Sequence, residues 1–469
     1  MTIHELLSAF LWFVLGYSVV TTLAYIAVNL LSVREVRRYM EQRRSESRAY
    51  FVKGDEPPVS ILVPAFNEAV GIVASVRSLL QLHYAAFEII VINDGSKDET
   101  LARLTEAFDL RPFPESYARH LPCQPVRAIY ASAIHPNVRV IDKDNGGKSD
   151  SLNAGINLSA FPLYCCLDAD SILERDSLLR IVQPFVEDPD CVACGGVIRL
   201  VNGCTVRDGH IEERGLSRNW LALFQTVEYL RGILLARVGW SAVNGLLVIS
   251  GAFGLFRKKT VIEVGGYSVN TIGEDMELTV RMHRLLSRAG TPYRIAFVPD
   301  PVCWTEAPED FRVLRAQRVR WHLGLSESLW LNRRQCFARG SGVAGWLAFP
   351  FWVLFEWMSP LVELAGYAVL IASMALGRVE WTMFVLFTLA ALNCGLLLST
   401  FALFADALSF QILARPRDVL TLFSYAFLEN FGYRQLMVWW RAVAIFRWLT
   451  GRGARWGNMV RKPGWQKSG

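Results

Sequence analysis

Residues 5–33 constrain the fold most, because this stretch contains no Lys or Arg and no charge after Glu5. A helix needs about 20 apolar residues to cross a bilayer, and the stretch is longer than that. It is also too long for the core of a signal peptide, and the chain begins with "MTIHE" rather than with a basic segment. The sequence therefore predicts an N-terminal transmembrane helix within residues 1–33.

The following segment, residues 34–55, is rich in arginine: Arg34, Arg37, Arg38, Arg43, Arg44 and Arg48. A basic excess beside a span marks the cytoplasmic side, so we expect a cytoplasmic linker and a cytoplasmic domain after it. The net charge of +6 is concentrated in such segments, which indicates attraction to the head groups of a lipid bilayer. Nucleic acid is not an expected partner, because no basic patch is interleaved with aromatic residues.

Two later stretches, residues 343–376 and 381–410, are again apolar and long enough to span. Pro350 and Pro360 interrupt the first one, which predicts an interfacial helix followed by a span. Polar residues divide residues 418–449 into pieces too short to cross, so re-entrant or interfacial helices are predicted there.

The membrane region is therefore expected over residues 336–450, followed by a basic tail over residues 451–469. Three crossings keep this tail in the cytoplasm, whereas a fourth would place its positive charge outside. We expect a multi-pass protein of the plasma (inner) membrane.

Between the membrane segments, residues 56–335 alternate short β-branched runs with helical stretches, which predicts an α/β domain with a largely parallel sheet. Ligands of such sheets bind beyond the carboxyl ends of the strands. Polar residues follow four predicted strands: Asn67 and Glu68, Asn93 and Asp94, Asp142 and Asp144, Asp168 and Asp170. We expect these ends to gather along one edge.

The stretch "LDADS" offers paired carboxylates for a metal ion. If Asp168 and Asp170 continue their strand, the two side chains point to the same side, about 7 Å apart along it. Two carboxylates can hold Mg²⁺ or Mn²⁺ against a diphosphate. The alternative is a solvated strand-to-turn exit, where Asp and Ser are common.

Two further motifs allow a functional and a structural interpretation. In "QRVRW", Gln317, Arg320 and Trp321 share one helix face, where Arg could bind a diphosphate and Trp a sugar; the alternative is an ordinary amphipathic helix. The core side of that helix would be Leu314, Val319 and Leu323. In "DNGGKSDSLNAG", Lys148 follows two glycines and could bind phosphate, or it could be an exposed lysine after a turn.

The stretch "TIGEDMELTVRMHR" reads as a helix start or as a site. Gly273 lets the chain turn, Glu274 and Asp275 favour a helix N-terminus, and Glu277 with Arg281 forms an i,i+4 pair. Its neighbouring acids could equally serve chemistry. The nine cysteines of the chain predict reduced thiols, and the CxxC pair Cys191 and Cys194 is expected on a strand.

Taken together, the ordered motifs resemble those of the membrane-embedded family 2 glycosyltransferases, the cellulose, chitin, hyaluronan and poly-N-acetylglucosamine synthases, with a GT-A catalytic domain. The motifs are "PAFNE" (64–68), "INDGS" (92–96), "GGKSDSLN" (146–153), "DAD" (168–170), "SGAFGLFR" (250–257), "GED" (273–275), "TEAP" (305–308) and "QRVRW" (317–321). Two features depart from the family. Gly273 stands where many members have Thr, and neither the gating segment nor the C-terminal cyclic-dinucleotide domain of the cellulose branch is recognisable in this sequence.

The resemblance implies a role for each residue of the site. Glu68 and Asp94 would hold the uridine end of a UDP-sugar donor, assisted by Lys148. Asp168 and Asp170 would bind Mg²⁺ or Mn²⁺, and Asp275 would be the general base. Arg320 would hold the leaving diphosphate, and Gln317 and Trp321 the glycan acceptor.

The function implied is an inverting glycosyltransferase that extends and exports a β-linked polysaccharide. A non-processive transferase acting on a lipid carrier or glycan, and a catalytically silent glycan-binding membrane subunit, stay open as alternatives. The resemblance also leaves open whether a small membrane accessory subunit is needed.

Overall fold

The computed structural model describes residues 3–46, 56–207, 209–377, 381–409 and 415–451. The first helix, α1 (Ile3–Glu46), continues without a break through the start of the predicted linker. The linker is helical there because residues 34–46 contain neither Pro nor Gly and are mostly strong helix formers. The end of α1 is fixed to the α/β domain, since the Tyr39 hydroxyl donates to Asp300 over 2.9 Å.

Twelve strands lie within the described residues. They are β1 (Val59–Ala65), β2 (Phe87–Asp94), β3 (Leu110–Pro112), β4 (Val126–Ser132), β5 (Val138–Lys143), β6 (Leu163–Leu167), β7 (Ile172–Leu173), β8 (Cys191–Leu200), β9 (Thr205–Arg207), β10 (His210–Glu213), β11 (Phe253–Arg257) and β12 (Arg294–Thr305). Strands β9 and β10 pair as a separate hairpin. The others form one mixed sheet in the order β3-β4-β5-β2-β1-β6-β11-β8-β12-β7.

The centre of this sheet is parallel, as predicted: β1 pairs with β2 and β6, and β2 pairs with β5. Parallel strands end at the same edge, so the polar residues that follow β1, β2, β5 and β6 gather there. Antiparallel strands β4 and β11 flank this core. The CxxC cysteines Cys191 and Cys194 are buried on β8 and carry no disulfide.

Helices cover both faces of the sheet. They are α2 (Ile72–Leu79), α3 (Thr100–Phe108), α4 (Lys148–Leu158), α5 (Ser177–Ile181), α6 (Gln183–Glu187), α7 (Trp220–Tyr229), α8 (Ala236–Ala242), α9 (Lys258–Glu263), α10 (Glu274–Ala289) and α11 (Phe311–Leu331), with a π-helical turn at Leu230–Leu235 and a 3₁₀ turn at Arg333–Gln335. Side chains alternate along each central strand, so Ile61 and Val63 pack with α2 and α3 while Leu62 packs with α4 and α10.

The remaining helices follow the α/β domain. They are α12 (Phe349–Phe351), α13 (Ser359–Ala375), α14 (Trp381–Ser409), α15 (Pro416–Leu428) and α16 (Tyr433–Leu449), with π-helical turns at Ala344–Ala348 and Trp352–Trp357. Within the described residues two helices, Glu5–Gln42 and Ala344–Ala375, are long and apolar enough to cross a membrane. The described part of α14 contains a shorter apolar helical stretch, Gly395–Asp406, and the third predicted crossing stays a prediction. Apart from Gly451, the basic tail lies outside the described residues.

Candidate active site

A cavity of about 1010 Å³ opens at the carboxyl edge of the sheet. Seven of the nine predicted site residues line it: Lys148, Asp168, Asp170, Asp275, Gln317, Arg320 and Trp321. The cavity continues past α11 to residues of α1, α13, α14 and α16, among them Tyr25, Glu363, Leu398 and Arg441. The structure therefore brings most of the predicted site together and joins it to the membrane-facing helices.

Lys148 connects three of the motifs. It begins α4, and its Nζ atom donates to Asp168 over 2.5 Å and to the Gly251 carbonyl over 2.9 Å, with Glu274 at 3.8 Å. Burial lowers the pKa of Lys148, but the carboxylates of Asp168 and Glu274 outweigh burial and raise it above its ordinary value. The lysine is thus a fixed positive charge at the centre of the site.

Asp168 and Asp170 do not continue a strand, so the predicted spacing along one is wrong. Strand β6 ends at Leu167, and the chain then turns, with the Ser171 amide donating to the Asp168 carbonyl over 3.0 Å. Both carboxylates nevertheless line the cavity. A turn, rather than strand alternation, brings them to the same cavity.

Asp275 lies in the first turn of α10, as predicted. Its Oδ2 atom accepts from the Gly251 amide over 3.1 Å, so Gly251 contacts both Lys148 and Asp275. Further along the helix, Arg281 donates to Glu277 over 2.8 to 3.1 Å, which confirms the predicted i,i+4 pair. The stretch therefore supplies both a stabilised helix and a cavity carboxylate.

A backbone contact between α10 and α11 explains the glycine of the acidic triplet. A Cβ atom on Gly273 would lie 2.7 Å from the Gly324 carbonyl oxygen, and one on Gly324 would lie 2.8 Å from the Gly273 Cα. No side chain fits between these backbones, so Thr could not replace Gly273 without moving a helix. The contact fixes Asp275 relative to the QRVRW face of α11.

Helix α11 has the two faces that its sequence predicts. Gln317, Arg320 and Trp321 line the cavity, and the Gln317 Oε1 atom is buried without a hydrogen bond among the described residues. Leu314, Val319 and Leu323 are buried against α7 and α16. Sequence reasoning missed Arg318, which donates to Glu228 over 2.7 Å and lies over the Trp321 ring, 4.6 Å from its centroid.

The two other predicted residues, Glu68 and Asp94, do not line this cavity. Asp94 accepts from the amides of Gly146 and Gly147 over 2.9 and 2.7 Å, and it also pairs with Lys143. The Glu68 carbonyl accepts from the first amides of α2, and the Glu68 amide donates to the Thr100 hydroxyl over 2.9 Å. Their predicted contact with uridine stays a prediction, and Asp94 acts here on the loop that precedes Lys148.

Three further residues contribute to the site, although the sequence assigned no role to any of them. Gly251 belongs to "SGAFGLFR", and only its backbone acts, so no side-chain type could have revealed it. Glu274 is buried, and this burial raises its pKa to about 7 against the effect of Lys148. Glu228 lies in no motif, and its pairing with Arg318 and Tyr433 required the fold.

The acids of the site fit a metal ion only in part. Among the described residues, no group of three or more His, Cys, Asp or Glu side chains is arranged to hold one. Two carboxylates suit Mg²⁺ or Mn²⁺, however, when substrate phosphates complete the coordination shell. Asp168 and Asp170 therefore fit a divalent ion that binds together with a diphosphate.

A mixed α/β sheet, an aspartate pair after a central strand and a helix-borne acid opposite define the GT-A class of glycosyltransferase fold. The chain belongs to glycosyl transferase family group 2, whose model matches residues 165–403, and the glycosyl transferase family 2 model matches residues 60–120. The family expected from the motifs is thereby confirmed.

Known proteins agree with this assignment. The chain is 28% identical over 320 residues to the poly-beta-1,6-N-acetyl-D-glucosamine synthase of Staphylococcus aureus, covering 68% of this chain and 66% of that protein. The Staphylococcus epidermidis synthase is also 28% identical, over 60% of this chain and 59% of its own length. The mannosyltransferase PcManGT from Pyrobaculum calidifontis, solved with GDP-Man and Mn²⁺, shares the fold with a TM-score of 0.55 at 17% identity, covering 94% of this chain and 100% of its own.

Proposed function

We propose that this chain is a membrane-bound, metal-dependent, inverting glycosyltransferase that adds sugars from a UDP-sugar to a growing β-linked polysaccharide and exports the product through its own helices. One observation carries the proposal: a single cavity joins Asp168, Asp170 and Asp275 to the α11 face and continues between α1, α13 and α16. A lengthening glycan needs such a path from the reacting atoms towards the bilayer.

The residues divide the reaction between two sides of the cavity. On the acceptor side, Asp275 would take the proton of the acceptor hydroxyl while that oxygen attacks the anomeric carbon. The bond from that carbon to the diphosphate then breaks with inversion, and UDP leaves. Lys148 and Arg320 would hold the departing diphosphate, while Gln317 and Trp321 would contact the acceptor.

Asp168 and Asp170 would hold the divalent cation, which when bound offsets the charge of the leaving diphosphate. Asp94 would act indirectly, because its oxygens already hold the loop before Lys148. The names of the similar synthases make UDP-N-acetylglucosamine the first donor to test. We place the α/β domain on the cytoplasmic side, where nucleotide sugars are supplied.

The test is UDP release by the purified full-length protein in lipid nanodiscs with radiolabelled UDP-N-acetylglucosamine, UDP-glucose or UDP-galactose. We expect release with one donor and a fall of about 10²- to 10⁴-fold in Asp275→Asn, the range for loss of a general base. Asp190→Asn, at an exposed aspartate, is the matched control.

Equal release by Asp275→Asn, or no release with any UDP-sugar, would contradict the proposal. Sizing of the labelled product separates the two transferase hypotheses. A ladder or a high polymer supports processive synthesis, whereas a single adduct excludes it.

A further inference from the structure

Arg237 is a partly buried cation of the cavity that has no hydrogen-bond or ion-pair partner among the described residues. It lies at the start of α8, directly after the π-helical turn Leu230–Leu235, and it lines the cavity. Its Nη1 atom is shielded from solvent, and the side chain makes no hydrogen bond or ion pair within the described part of the chain. A guanidinium has five N–H donors and stays charged, so these donors need acceptors from elsewhere.

Arg441 also lines the cavity without an ion pair among the described residues, but Arg237 differs from it in having a shielded nitrogen atom without a hydrogen bond. Three other arginines of the cavity are paired. Arg231 binds Glu429 over 2.5 Å, Arg318 binds Glu228 over 2.7 Å, and Arg434 binds Glu363 over 3.3 Å. Buried charges in proteins are normally compensated in this way. A shielded guanidinium nitrogen left without an acceptor, as Nη1 of Arg237 is, is therefore a sign that a ligand supplies one.

The surroundings of Arg237 place it on the acceptor side. Burial lowers the pKa of Arg237, and the charge that most opposes this effect is the carboxylate of Asp275. Tyr229, which also acts on Arg237, packs its ring 6.4 Å from that of Trp321. Arg237 thus shares the cavity with the proposed base, within electrostatic range of it, and with an aromatic ring that packs near Trp321.

Helix α8, which carries Arg237, is held in place by close packing against its neighbours. A Cβ atom on Gly239 would lie 2.3 Å from the Val28 carbonyl oxygen of α1, so α8 and α1 are in backbone contact. On the next turn, Trp240 packs against Phe351 with ring centroids 5.1 Å apart. Arg237 is held towards the cavity by this packing.

We propose that Arg237 is a specificity-determining residue that donates to a carbonyl-type oxygen of the acceptor sugar, carried by an acetamido or a carboxylate group. This inference rests on the proposed function, since it names the acceptor of that site. Such oxygens accept in the plane of the forked guanidinium. A free amine at the same position would be protonated and repelled by the guanidinium, so de-N-acetylated acceptors are disfavoured.

The test measures primer binding to the full-length protein without donor, by tryptophan fluorescence. The probes are β-linked pentamers of N-acetylglucosamine, glucuronic acid, glucose and glucosamine. We expect one of the first two to bind about 10- to 100-fold more tightly than glucosamine, the range of a charged hydrogen bond. The tighter of the two identifies the acetamido group or the carboxylate as the natural source.

Two variants and a control complete the design. In Arg237→Gln the ranking of the primers should collapse to within about threefold, whereas Arg237→Lys should still reject glucosamine because it keeps the charge. Arg315→Gln, at an exposed arginine outside the cavity lining, should bind as the unmodified protein does. The melting temperature of Arg237→Gln should not fall, because the guanidinium makes no hydrogen bond or ion pair with the described residues that the substitution would remove.

An unchanged ranking in Arg237→Gln, or a uniform loss with a lower melting temperature, would overturn the inference and indicate a structural arginine. The same holds if the unmodified protein binds no primer or ranks none. If the primers bind in the expected order but the protein releases no UDP with any donor, only the proposed function is contradicted. If the protein releases UDP normally but binds all four primers equally, only the role of Arg237 is contradicted.

Discussion

Two lysine–aspartate pairs lie at the same edge of the sheet and differ in how much solvent reaches them. The first joins Lys143 to Asp94, whose side chains are 0% and 4% exposed. The second joins Lys148 to Asp168, whose side chains are 13% and 30% exposed. The same two residue types, after neighbouring parallel strands, thus occupy a closed and an open environment.

The difference lies in the number of donors around each carboxylate. Asp94 accepts from Lys143, from the Gly146 and Gly147 amides and from the Asn145 side chain. A carboxylate offers about four lone-pair sites, so donors from the protein use the full accepting capacity of Asp94. Asp168 is bound by Lys148 and faces the cavity. The closed pair, Lys143 and Asp94, holds the loop that precedes Lys148. The open pair, Lys148 and Asp168, is available to a ligand.

The strongest way to break the open pair is Asp168→Asn. Loss of one cation ligand should lower UDP release about 10³-fold or more, because metal binding supplies several kcal/mol of charge stabilisation. The melting temperature should fall less than in the closed pair, since the Asp168 side chain is 30% exposed and Lys148 keeps Glu274 at 3.8 Å. Activity assays across Mn²⁺ concentration, with EDTA as the metal-free reference, measure the effect.

The closed pair should respond in the opposite way to Asp94→Asn. The new side-chain amide would direct its NH₂ group at one of the two glycine amides, because Gly146 and Gly147 donate to different oxygens of Asp94. It would also leave Lys143 with Asp150 as its remaining acid, at 2.7 Å. Breaking a buried pair costs about 3 kcal/mol or more, so a fall of several degrees in melting temperature is expected. If Asp94→Asn melts normally but loses UDP release, Asp94 belongs to the nucleotide site and our distinction is wrong.

The sequence predicted the position of these acids better than their roles. The order of the β-branched runs implied one edge for Asp94 and Asp168, and the motif spacing implied Asp275 at a helix start. Neither pattern reports how many donors surround a carboxylate. Gly146 and Gly147 donate through their backbone amides, and the Asn145 side chain reaches Asp94 only because of the loop's geometry.

Long-range contacts were the other unpredictable part. Arg318 stands beside Gln317 in the motif but points to Glu228, and the partner lies 90 residues away in the chain. Helical periodicity assigns a face to each residue, yet it does not show what packs against that face. The helical continuation of α1 into the linker was missed because arginine content was interpreted as membrane topology and not as helix propensity.

The open pair is useful only while α11 stays opposite it, and Gly324→Ala tests this. The new methyl group would lie 2.8 Å from the Gly273 Cα, so α11 must move away from the start of α10. A misplacement of about 1 Å can cost about 10²-fold in rate, and UDP release should fall by that order. Gly16→Ala, where nothing lies within 4 Å, should change neither rate nor melting.

The smallest expected effect is the contribution of Glu274 to the pH dependence of stability. It is the second acid beside Lys148, and burial raises its pKa to about 7 in the folded chain, above its ordinary value of 4.5. Between these values the folded protein binds more protons than the unfolded chain, so stability falls as pH rises from about 4.5 to about 7. The largest slope is about 1.4 kcal/mol per pH unit.

Glu274→Gln should remove this slope, because the amide does not titrate. We therefore expect the melting temperatures of the variant and the unmodified protein to agree near pH 5 and to diverge in favour of the variant by pH 8. Loss of the charge beside Lys148 opposes the gain without changing its direction, since burial is the larger effect on Glu274. Glu106→Gln, at an exposed acid, should give a curve parallel to that of the unmodified protein. A parallel curve for Glu274→Gln as well would mean that Glu274 is ionised in the folded state, and that Lys148 faces two full negative charges instead of one.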